Sequence, residues 1–481
     1  MDKRAMVDYI ASKADLIYEV SDKVWDAAET AFEEYKSVDV LCAALEQEGF
    51  KVERGVADVK TAFLGRAGSG KPVIGILGEF DALSGLSQVA GCAEKNPLVA
   101  GAAGHGCGHN MLGAGSLAAA IGVKQYLENN KLAGTVIFYG TPGEEGGSGK
   151  AFMAREGVFD ELDLAFCWHP GFVNSSSVGS SLANVQVKYH FKGVSAHAAG
   201  DPHLGRSALD AVELMNVGVQ FLREHMIDQA RVHYAITDAG GYSPNVVQPT
   251  ATVLYLIRSP KNDQVQELYE RVNKIARGAA LMTETELEID FMKGCSNLVP
   301  NVVIAGALDK NLNEVPLPEY TEAELKEAKA FADTVKTPAE HMKAQLASAG
   351  ADEATTERIM AHVEDPVYNF TLPLSLVETV GAGSTDVGDV SWVCPTAQIS
   401  TSTWAAGTPG HSWQIVAQGK GATAHKATLY AGQVIAGAAV DFIENPELVE
   451  KAKAEFDRRL GGGSYACPIP KGIKPRAISG K

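Results

Sequence analysis

A cysteine and a histidine lie one residue apart in a glycine-rich run, at positions Cys107 and His109. Both side chains bind divalent metals, and the flanking glycines let the backbone approach an ion closely. Two further groups follow apolar, strand-like segments: the pair Glu144 and Glu145, and then His169. Cysteine, histidine and carboxylate together suit zinc or another divalent ion. Because these groups come from separate segments, we expect an open catalytic site rather than a closed structural one.

The adjacent glutamates can supply the two roles that metal-dependent hydrolysis requires, a metal ligand and a general base. Neighbouring side chains diverge, so Glu145 can bind a metal while Glu144 accepts a proton from metal-bound water. A metal lowers the pKa of its water from about 15.7 towards 7, and the carboxylate then delivers the proton to the departing amine. The alternatives are two exposed loop glutamates and, for Cys107 and His109, a buried cysteine beside a structural histidine.

Alternating strands and helices must position these groups. Segments at residues 61–64, 73–77, 136–139 and 163–168 are typical of strands, and residues 111–127 predict a helix between two of them. This alternation predicts an α/β catalytic domain with a mostly parallel sheet flanked by helices. Ligands of such sheets gather at the carboxyl ends of strands, which is where the candidate metal ligands fall.

A second folding unit is predicted inside the first. A serine-rich stretch at residues 174–181 is typical of a linker, and strands and helices follow it in the order β-α-β-β-α-β. We therefore expect a ferredoxin-like α+β lid or dimerisation domain at residues 184–297. It would interrupt a metal-binding catalytic domain formed by residues 1–183 and 298–481. Further helices are expected within residues 1–33 and at residues 37–48, 320–346 and 424–442, with glycine-rich loops at residues 381–392 and 407–413.

The bulk composition argues against several functional classes. The chain has 481 residues, of which 46% are hydrophobic and 21% charged, as in an ordinary globular protein. Its net charge of −17 disfavours nucleic acid and anionic membranes as partners. No apolar stretch approaches the roughly 20 residues that span a bilayer, and no signal-peptide pattern is present. Seven scattered cysteines favour a reducing compartment, so we expect a cytoplasmic protein.

One motif matches a nucleotide-binding pattern only in part. The run Gly65 to Lys71 fits the phosphate-loop pattern, but Pro72 replaces the serine or threonine that would hold magnesium. A strand rather than a helix is predicted after it, so we interpret the run as a hairpin turn.

A series of motifs occurs in a fixed order along nearly the whole chain. They lie at residues 104–110, 143–146, 168–170, 193–203 and 243–247, and further ones at residues 384–392, 407–413 and 467–471. With these motifs the chain resembles the aminoacylase/carboxypeptidase family of binuclear metal amidohydrolases, in the branch that includes indole-acetyl-amino-acid hydrolases. One residue departs from that branch, because Asn110 stands where an aspartate is usual. Asparagine loses the charge but can still form hydrogen bonds.

The resemblance implies a site that holds two divalent metal ions, Zn²⁺ or Mn²⁺. Cys107 would bridge the two ions, and the other expected ligands are His109, Glu145, His169 and His411. The residues alone do not choose between His411 and His425 for the last ligand. Glu144 takes the general-base position.

The resemblance also implies residues outside the metal ligands. Asp81 would orient a metal ligand and tune its basicity, although a loop-capping aspartate is the alternative. His197 is expected to cross a dimer interface and to donate to the oxyanion in the neighbouring subunit. The expected substrate-binding residues are Asn245, Arg258 and His203, for which ordinary lid-surface polarity is the alternative.

The implied activity is hydrolysis of an amide between an acyl or aroyl group and an amino acid. The first expected substrate is p-aminobenzoyl-glutamate, which would give p-aminobenzoate and glutamate. The alternatives are a general N-acyl-amino-acid deacylase or dipeptidase, a non-catalytic subunit of a hetero-oligomeric hydrolase, and a structural zinc or binding module. We expect a homodimer formed through the lid, and a related second subunit stays open.

Overall fold

The computed structural model describes residues 1–335, 342–343, 346 and 351–477. The helices in this part of the chain are α1 Lys3–Ser12, α2 Ala14–Ala27, α3 Tyr35–Gln47, α4 His109–Asn130, α5 Gly149–Arg155, α6 Ala208–Arg223, α7 Asn262–Thr283, α8 Val302–Glu314, α9 Glu322–Ala332, α10 Glu353–Ala361, α11 Val387–Ser391, α12 Trp413–Gln418, α13 Ala422–Glu444 and α14 Pro446–Leu460. The strands are β1 Lys51–Arg54, β2 Phe63–Ser69, β3 Val73–Gly78, β4 Gly134–Gly140, β5 Leu164–Gly171, β6 Val173–Ser176, β7 Ala183–Lys192, β8 Arg231–Asp238, β9 Thr250–Ser259, β10 Glu286–Cys295, β11 Tyr368–Thr371 and β12 Thr396–Ser402.

A large mixed sheet carries the candidate metal ligands. Its strand order is β1-β2-β4-β3-β5-β12-β6-β11. The central neighbours β4, β3, β5 and β12 run parallel to one another, so their carboxyl ends meet at one edge. Every residue of β3 and β4 is buried, as expected for parallel strands covered on both faces. The prediction of an α/β fold with a mostly parallel sheet is confirmed.

Two long helices of small residues, α4 and α13, pack against each other beside this sheet. A Cβ atom on Gly432 of α13 would lie 2.6 Å from the Cβ of Ala118 and 2.8 Å from the carbonyl oxygen of Gly115, both on α4. The two helices therefore approach more closely than larger side chains allow. This contact matters for the site because α4 begins at His109. Among the described residues, no helix has the length and apolar character that crossing a membrane requires.

A separate four-stranded antiparallel sheet has the order β10-β7-β9-β8. Helices α6 and α7 bury one of its faces in a hydrophobic core of their own. The elements follow one another as β7-α6-β8-β9-α7-β10, which is the predicted β-α-β-β-α-β order. Strand β8 lies at the free edge and is exposed along most of its length.

The structure corrects several predicted elements in the first half of the chain. The N-terminal segment forms two helices, α1 and α2, rather than one amphipathic helix. The proposed hairpin at residues 65–71 is wrong, because β4 lies between β2 and β3 in the sheet. The serine-rich stretch at residues 174–181 is not only a linker, since it begins within strand β6 and adds to the large sheet.

Two predictions in the second half also change. The helix predicted at residues 320–346 begins with α9 but α9 ends at Ala332, and residues 336–341, 344–345 and 347–350 lie outside the described part of the chain. The loop predicted at residues 381–392 contains the short helix α11, in which Asp389 accepts hydrogen bonds from the Ser296 backbone N–H and hydroxyl at 3.1 and 2.9 Å.

Candidate metal and catalytic site

The predicted site residues come together at the carboxyl edge of the parallel strands. Asp81 follows β3, the pair Glu144 and Glu145 follows β4, and His169 lies near the end of β5. Cys107 precedes α4, whose N-cap residue Gly108 has a φ of 76°. This left-handed conformation suits glycine and lets the chain turn sharply between the two ligands.

One group of ligand atoms joins Cys107, His109 and His169. Their sulfur and nitrogen atoms all lie within 4.8 Å of one another, and the Cys107 Sγ is 3.3 Å from the His169 Nε2. Burial raises the pKa of the Cys107 thiol. The close approach of soft and borderline donors matches the chemistry that binds zinc-like ions.

A second group joins Cys107 to Glu145 and His411 within the same 4.8 Å limit. His411 lies in the loop between β12 and α12, with its Nε2 atom 3.4 Å from the Glu145 Oε1. Its backbone φ is 52°, a left-handed conformation that is uncommon outside glycine. Cys107 belongs to both groups, which is the arrangement expected of a shared ligand.

The alternative to His411, His425, lies elsewhere. Its ring stacks on Tyr18, and its Nε2 atom is 2.8 Å from the Asp22 carboxylate. It belongs to none of the potential metal-binding groups among the described residues. The geometry therefore favours His411 as the candidate ligand.

Buried polar atoms at this edge fit metal ions. The His109 Nε2 and Glu145 Oε1 atoms are buried and form no hydrogen bond with any described residue. An unsatisfied buried polar group costs about 1–3 kcal/mol. Divalent ions would give both atoms a partner, so the donor set suits the metal ions that the sequence predicts.

Asp81 fixes the candidate ligands from behind. One of its oxygens contacts the His109 Nδ1 at 2.9 Å, and the other accepts a hydrogen bond from the Glu145 backbone N–H at 2.9 Å. Burial opposes ionisation of Asp81, but its bond to His109 holds the pKa of the carboxyl below its usual range. With Nδ1 occupied, the Nε2 atom of His109 is left to face an ion.

A buried charge network behind the ligands was missed in the sequence. The Lys150 ammonium is fully buried and lies 2.6 Å from Glu79 and 2.6 Å from Asp386. The other oxygen of Glu79 is 3.3 Å from the His109 Nε2. The sequence signal was available, since Glu79 lies two residues before Asp81 and Lys150 five after Glu145, but a lysine is rarely expected in a core.

Glu144 lies beside this network. Its ligand atom, together with those of Glu79 and His109, forms a third group within 4.8 Å. Burial and then the negative charge of Glu79 raise the pKa of Glu144 well above its usual range. The Glu144 carboxyl group thus lies beside the candidate ligand His109, which is where a general base for metal-bound water would be needed.

A cavity of about 510 Å³ opens over these groups and reaches the four-stranded sheet. Arg258, for which the resemblance implies substrate binding, lines this cavity. Asn184, Lys293 and Ser384 also line it and were missed, because single polar residues in strands and glycine-rich loops carry no sequence signature. The Asn184 Oδ1, Arg258 Nε and Ser384 Oγ atoms are buried without hydrogen-bond partners among the described residues.

Three predicted residues do not line this cavity. His197, Asn245 and His203 are exposed on the loops that flank β7 and β9. The backbone N–H of Ala198 donates to the Asn245 carbonyl oxygen at 2.9 Å, so His197 and Asn245 share one loop structure. Within one chain, the structure does not bring these three residues to the metal ligands.

Known proteins with similar sequences identify the family. A model of the peptidase family M20/M25/M40 matches residues 78–288. The chain is also 47% identical over 475 residues to a p-aminobenzoyl-glutamate hydrolase subunit of Escherichia coli (strain K12), and the match covers 99% of each chain. The chain belongs to the peptidase family M20/M25/M40. The resemblance predicted from the motifs is confirmed, and the protein is an M20 amidohydrolase.

Other relatives of this M20 hydrolase share its sequence or its fold. The Xaa-Arg dipeptidase of Mus musculus is 29% identical over 467 residues, covering 95% of this chain and 93% of the relative. The crystal structure of an aminobenzoyl-glutamate utilization protein from Klebsiella pneumoniae superposes with a TM-score of 0.60 at 17% identity, over 90% of this chain and 98% of that one. A dinuclear metal binding M20 peptidase of Bacillus subtilis gives a TM-score of 0.54 at 17% identity, over 89% of this chain and 99% of that one. The solved structures share the fold.

Proposed function

We propose that this M20 hydrolase cleaves p-aminobenzoyl-glutamate into p-aminobenzoate and glutamate. The observation that carries the proposal is the meeting of two candidate ligand groups on Cys107, with Glu144 beside them. The full-length similarity to one chain of a p-aminobenzoyl-glutamate hydrolase supports this choice of substrate. A small molecule of this kind, an N-aroyl amino acid, has an aromatic group, an amide and two carboxylates.

We propose two divalent metal ions, Zn²⁺ or Mn²⁺, as cofactors. The candidate ligands are Cys107, shared by both ions, with His109, Glu145, His169 and His411. When bound, such ions lower the pKa of water and polarise the scissile carbonyl. The thiolate favours zinc, whereas the carboxylate and imidazole suit either metal.

Glu144 is the proposed general base and acid. Its carboxylate accepts a proton from the attacking water, whose oxygen forms a bond with the amide carbon. The same carboxyl group then donates that proton to the amide nitrogen as the carbon–nitrogen bond breaks. Both steps need the carboxyl group next to the candidate ligands, and Glu144 lies beside His109 there.

The residues proposed to bind substrate lie in two places. Arg258 is on the sheet side of the cavity, and the others would come from a second copy of the chain. The planar guanidinium of Arg258 suits a carboxylate. His197 accepts hydrogen bonds at Nδ1 from the backbone N–H groups of Ala199 and Gly200, at 3.2 and 3.0 Å. This leaves an N–H at Nε2, which suits donation to an oxyanion. Asn245 and His203 remain proposed substrate-binding residues alongside it.

We propose a homodimer formed by the lid, residues 184–297. Its surface exposes apolar side chains on α6, α7 and the edge strand β8, namely Leu214, Val217, Phe221, Tyr234, Ile236 and Leu281. A monomer rarely leaves so many apolar side chains in water on one unit. A dimer would also explain why His197 is exposed and outside the cavity of its own chain.

A related but different chain is the other partner to consider, since the relatives include two different subunits of the Escherichia coli p-aminobenzoyl-glutamate hydrolase.

We also propose a cytoplasmic location. All seven cysteines are free, and none forms a disulfide. Free cysteines are typical of proteins in a reducing compartment.

The proposed function is tested by metal content and amide hydrolysis in the wild-type protein and Glu144→Ala. We expect about two ions per chain, and a loss of roughly 10²–10⁴-fold in kcat for the variant, the usual contribution of a general base. Glu156→Ala, at an exposed position after α5, is the matched control and should retain activity. Glu144→Ala activity within about tenfold of wild type would contradict the mechanism.

A dipeptidase is the second candidate, because the Xaa-Arg dipeptidase matches nearly the whole chain. Turnover of p-aminobenzoyl-glutamate should be compared with that of Xaa-Arg dipeptides and of acetyl and indole-acetyl amino acids. Cleavage of the dipeptides or of the acetyl and indole-acetyl amino acids, but not of p-aminobenzoyl-glutamate, would contradict the proposed substrate. A pure protein that binds two ions but hydrolyses amides only after addition of a second polypeptide would instead indicate a chain that needs its partner.

A further inference from the structure

Two cationic side chains line the metal cavity without a carboxylate partner. Arg258 donates from a terminal nitrogen to the Ala382 carbonyl oxygen at 3.3 Å, and its Nε is buried with no partner among the described residues. The Lys293 ammonium donates to the Glu145 carbonyl oxygen at 3.2 Å, and the residue is 9% exposed. Neither cation forms an ion pair with any residue that the structure describes. Lys293 is buried and Arg258 is half-buried, and a cation withdrawn from water without an anion is costly, so this pair needs a functional explanation.

The register of the four-stranded sheet puts these cations on one face. Arg258 on β9 pairs with Asn184 on β7, and Lys293 on β10 pairs with Gln186 on β7. Because Asn184 and Gln186 are two residues apart, their side chains point the same way. Arg258 and Lys293 therefore flank β7 from its two neighbours, with strand axes roughly 10 Å apart. Asn184, whose Oδ1 has no partner in the described part of the chain, lies between them.

The acidic groups that line the cavity form no ion pair with either cation. Glu79 is paired with Lys150, and Glu144 and Glu145 lie among the candidate metal ligands. The remaining negative charge at the strand ends suits the proposed divalent ions. The two cations on the sheet face are therefore left for the substrate.

We propose that Arg258 and Lys293 each bind one carboxylate of the leaving amino acid, so that the site selects dicarboxylic N-acyl amino acids. This inference rests on the proposed function and adds Lys293 as a specificity-determining residue. An ammonium with one donor bound to the Glu145 carbonyl has two donors left for a carboxylate. A monocarboxylic substrate would leave one of these two cations without an anion, which disfavours binding of that substrate.

A purely structural role for Lys293 predicts something different. Its bond to the Glu145 carbonyl could brace the loop that carries the metal ligand. In that case removal of the ammonium would disturb the metal site and slow every substrate equally. Charge recognition instead predicts an effect that depends on which carboxylates the substrate carries.

The test combines Lys293→Gln with three substrates: p-aminobenzoyl-glutamate, its α-amide and its γ-amide. For the diacid we expect kcat/KM to fall roughly 10- to 100-fold, mainly through KM, as for the loss of a hydrogen bond between charged groups. For one of the two amides the substitution should change kcat/KM less than about threefold, because that substrate lacks the carboxylate that Lys293 binds. Lys192→Gln is the matched control, since this lysine of the same sheet pairs with Glu288 at the surface.

Binding without turnover gives a second readout. In the Glu144→Ala background, calorimetry should show that Lys293→Gln weakens binding of the diacid and leaves binding of one amide unchanged. Metal content should equal that of the parent. Equal losses for all three compounds, or loss of metal, would overturn the proposal. A wild-type protein that cleaves none of the three would contradict the proposed function, while the binding measurements would still test the role of Lys293.

Discussion

Cys107 is the residue on which the two candidate metal positions depend. It contributes its sulfur to both ligand groups, one with His109 and His169 and the other with Glu145 and His411. Among the described residues, no other side chain is common to these two groups. The effect of changing it should therefore differ from the effect of changing any other ligand.

We expect Cys107→Ser to weaken both ions together. Serine keeps the shape of the side chain but replaces a soft, ionisable sulfur with a poorly ionised hydroxyl. His411→Ala is the matched comparison, because His411 belongs to only one of the groups and should weaken one ion more than the other. Metal content measured against increasing chelator checks both variants. Loss of a single ion from Cys107→Ser would show that the sulfur is not shared.

Glu34 is a buried carboxyl group that the proposed reaction does not use. Its two oxygens have no hydrogen-bond partner among the described residues, and burial followed by the charge of Asp81 raises its pKa to about 8. An unfolded glutamate titrates near pH 4.3, so between about pH 4 and 8 the folded protein holds a proton that the unfolded chain has lost. The free energy of unfolding should therefore fall as pH rises through this window.

Glu34→Gln removes this ionisation. Relative to the wild type, the variant should gain roughly 3–4 kcal/mol of unfolding free energy between about pH 5 and pH 8, because each pH unit in this window is worth about 1.4 kcal/mol. Urea unfolding at several pH values measures it. A difference that stays constant with pH would mean that Glu34 is not the group responsible.

The site was predictable from sequence where its residues lie in short motifs at strand ends. Cys107, His109 and the glutamate pair follow that rule. Asn184 and Lys293 could not be found this way, because register across three strands brings them to the cavity. In the Lys150 network, Glu79 and Lys150 lie close to the recognised motifs, but Asp386 is far from both in sequence and meets them only after folding.

At the scale of elements, the close contact of α4 and α13 positions the candidate metal ligand His109, which begins α4. A Cβ on Gly432 would meet Ala118 and the Gly115 carbonyl at distances that real contacts do not show. We expect Gly432→Ala to lower the free energy of unfolding by about 1–3 kcal/mol, the usual cost of overpacking a core. Metal affinity should fall with it, because α4 begins at His109.

Gly306→Ala is the control for this substitution. Gly306 also lies in a helix, α8, but nothing in the described part of the chain lies within 4 Å of its added Cβ. It should therefore gain up to about 1 kcal/mol of stability from helix propensity. Urea unfolding of both variants separates packing from propensity, and equal effects at the two positions would contradict the packing argument.

Most elements were predictable because their hydrophobic periods are strong, and the errors share a cause. Neither the N-terminal break between α1 and α2 nor the position of β4 between β2 and β3 is encoded in local periodicity. Strand β6 was not predicted because its polar serines are typical of a linker. In the structure they form hydrogen bonds inside the protein, and Ser176 Oγ donates to the Ala305 carbonyl oxygen at 3.0 Å. Tertiary contacts decide these features.

At the scale of the whole molecule, the exposed lid surface and the separation of His197 from the cavity point to the same assembly. Phe221 on α6 is 73% exposed and Leu281 on α7 is 82% exposed. The edge strand β8 offers unpaired backbone groups beside them. A two-fold dimer would cover this surface with its own copy and could bring His197 of one chain to the metal ligands of the other.

Complementation between two inactive variants tests this dimer. We expect His197→Ala and Glu144→Ala to lose activity as homodimers. A heterodimer of the two would contain one complete site, with Glu144 from one chain and His197 from the other, so it should recover about half of the wild-type activity. Co-expression with two different affinity tags allows the heterodimer to be purified and assayed. If His197 acted within its own chain, neither site of the heterodimer would be complete, and activity would stay at the level of the homodimers.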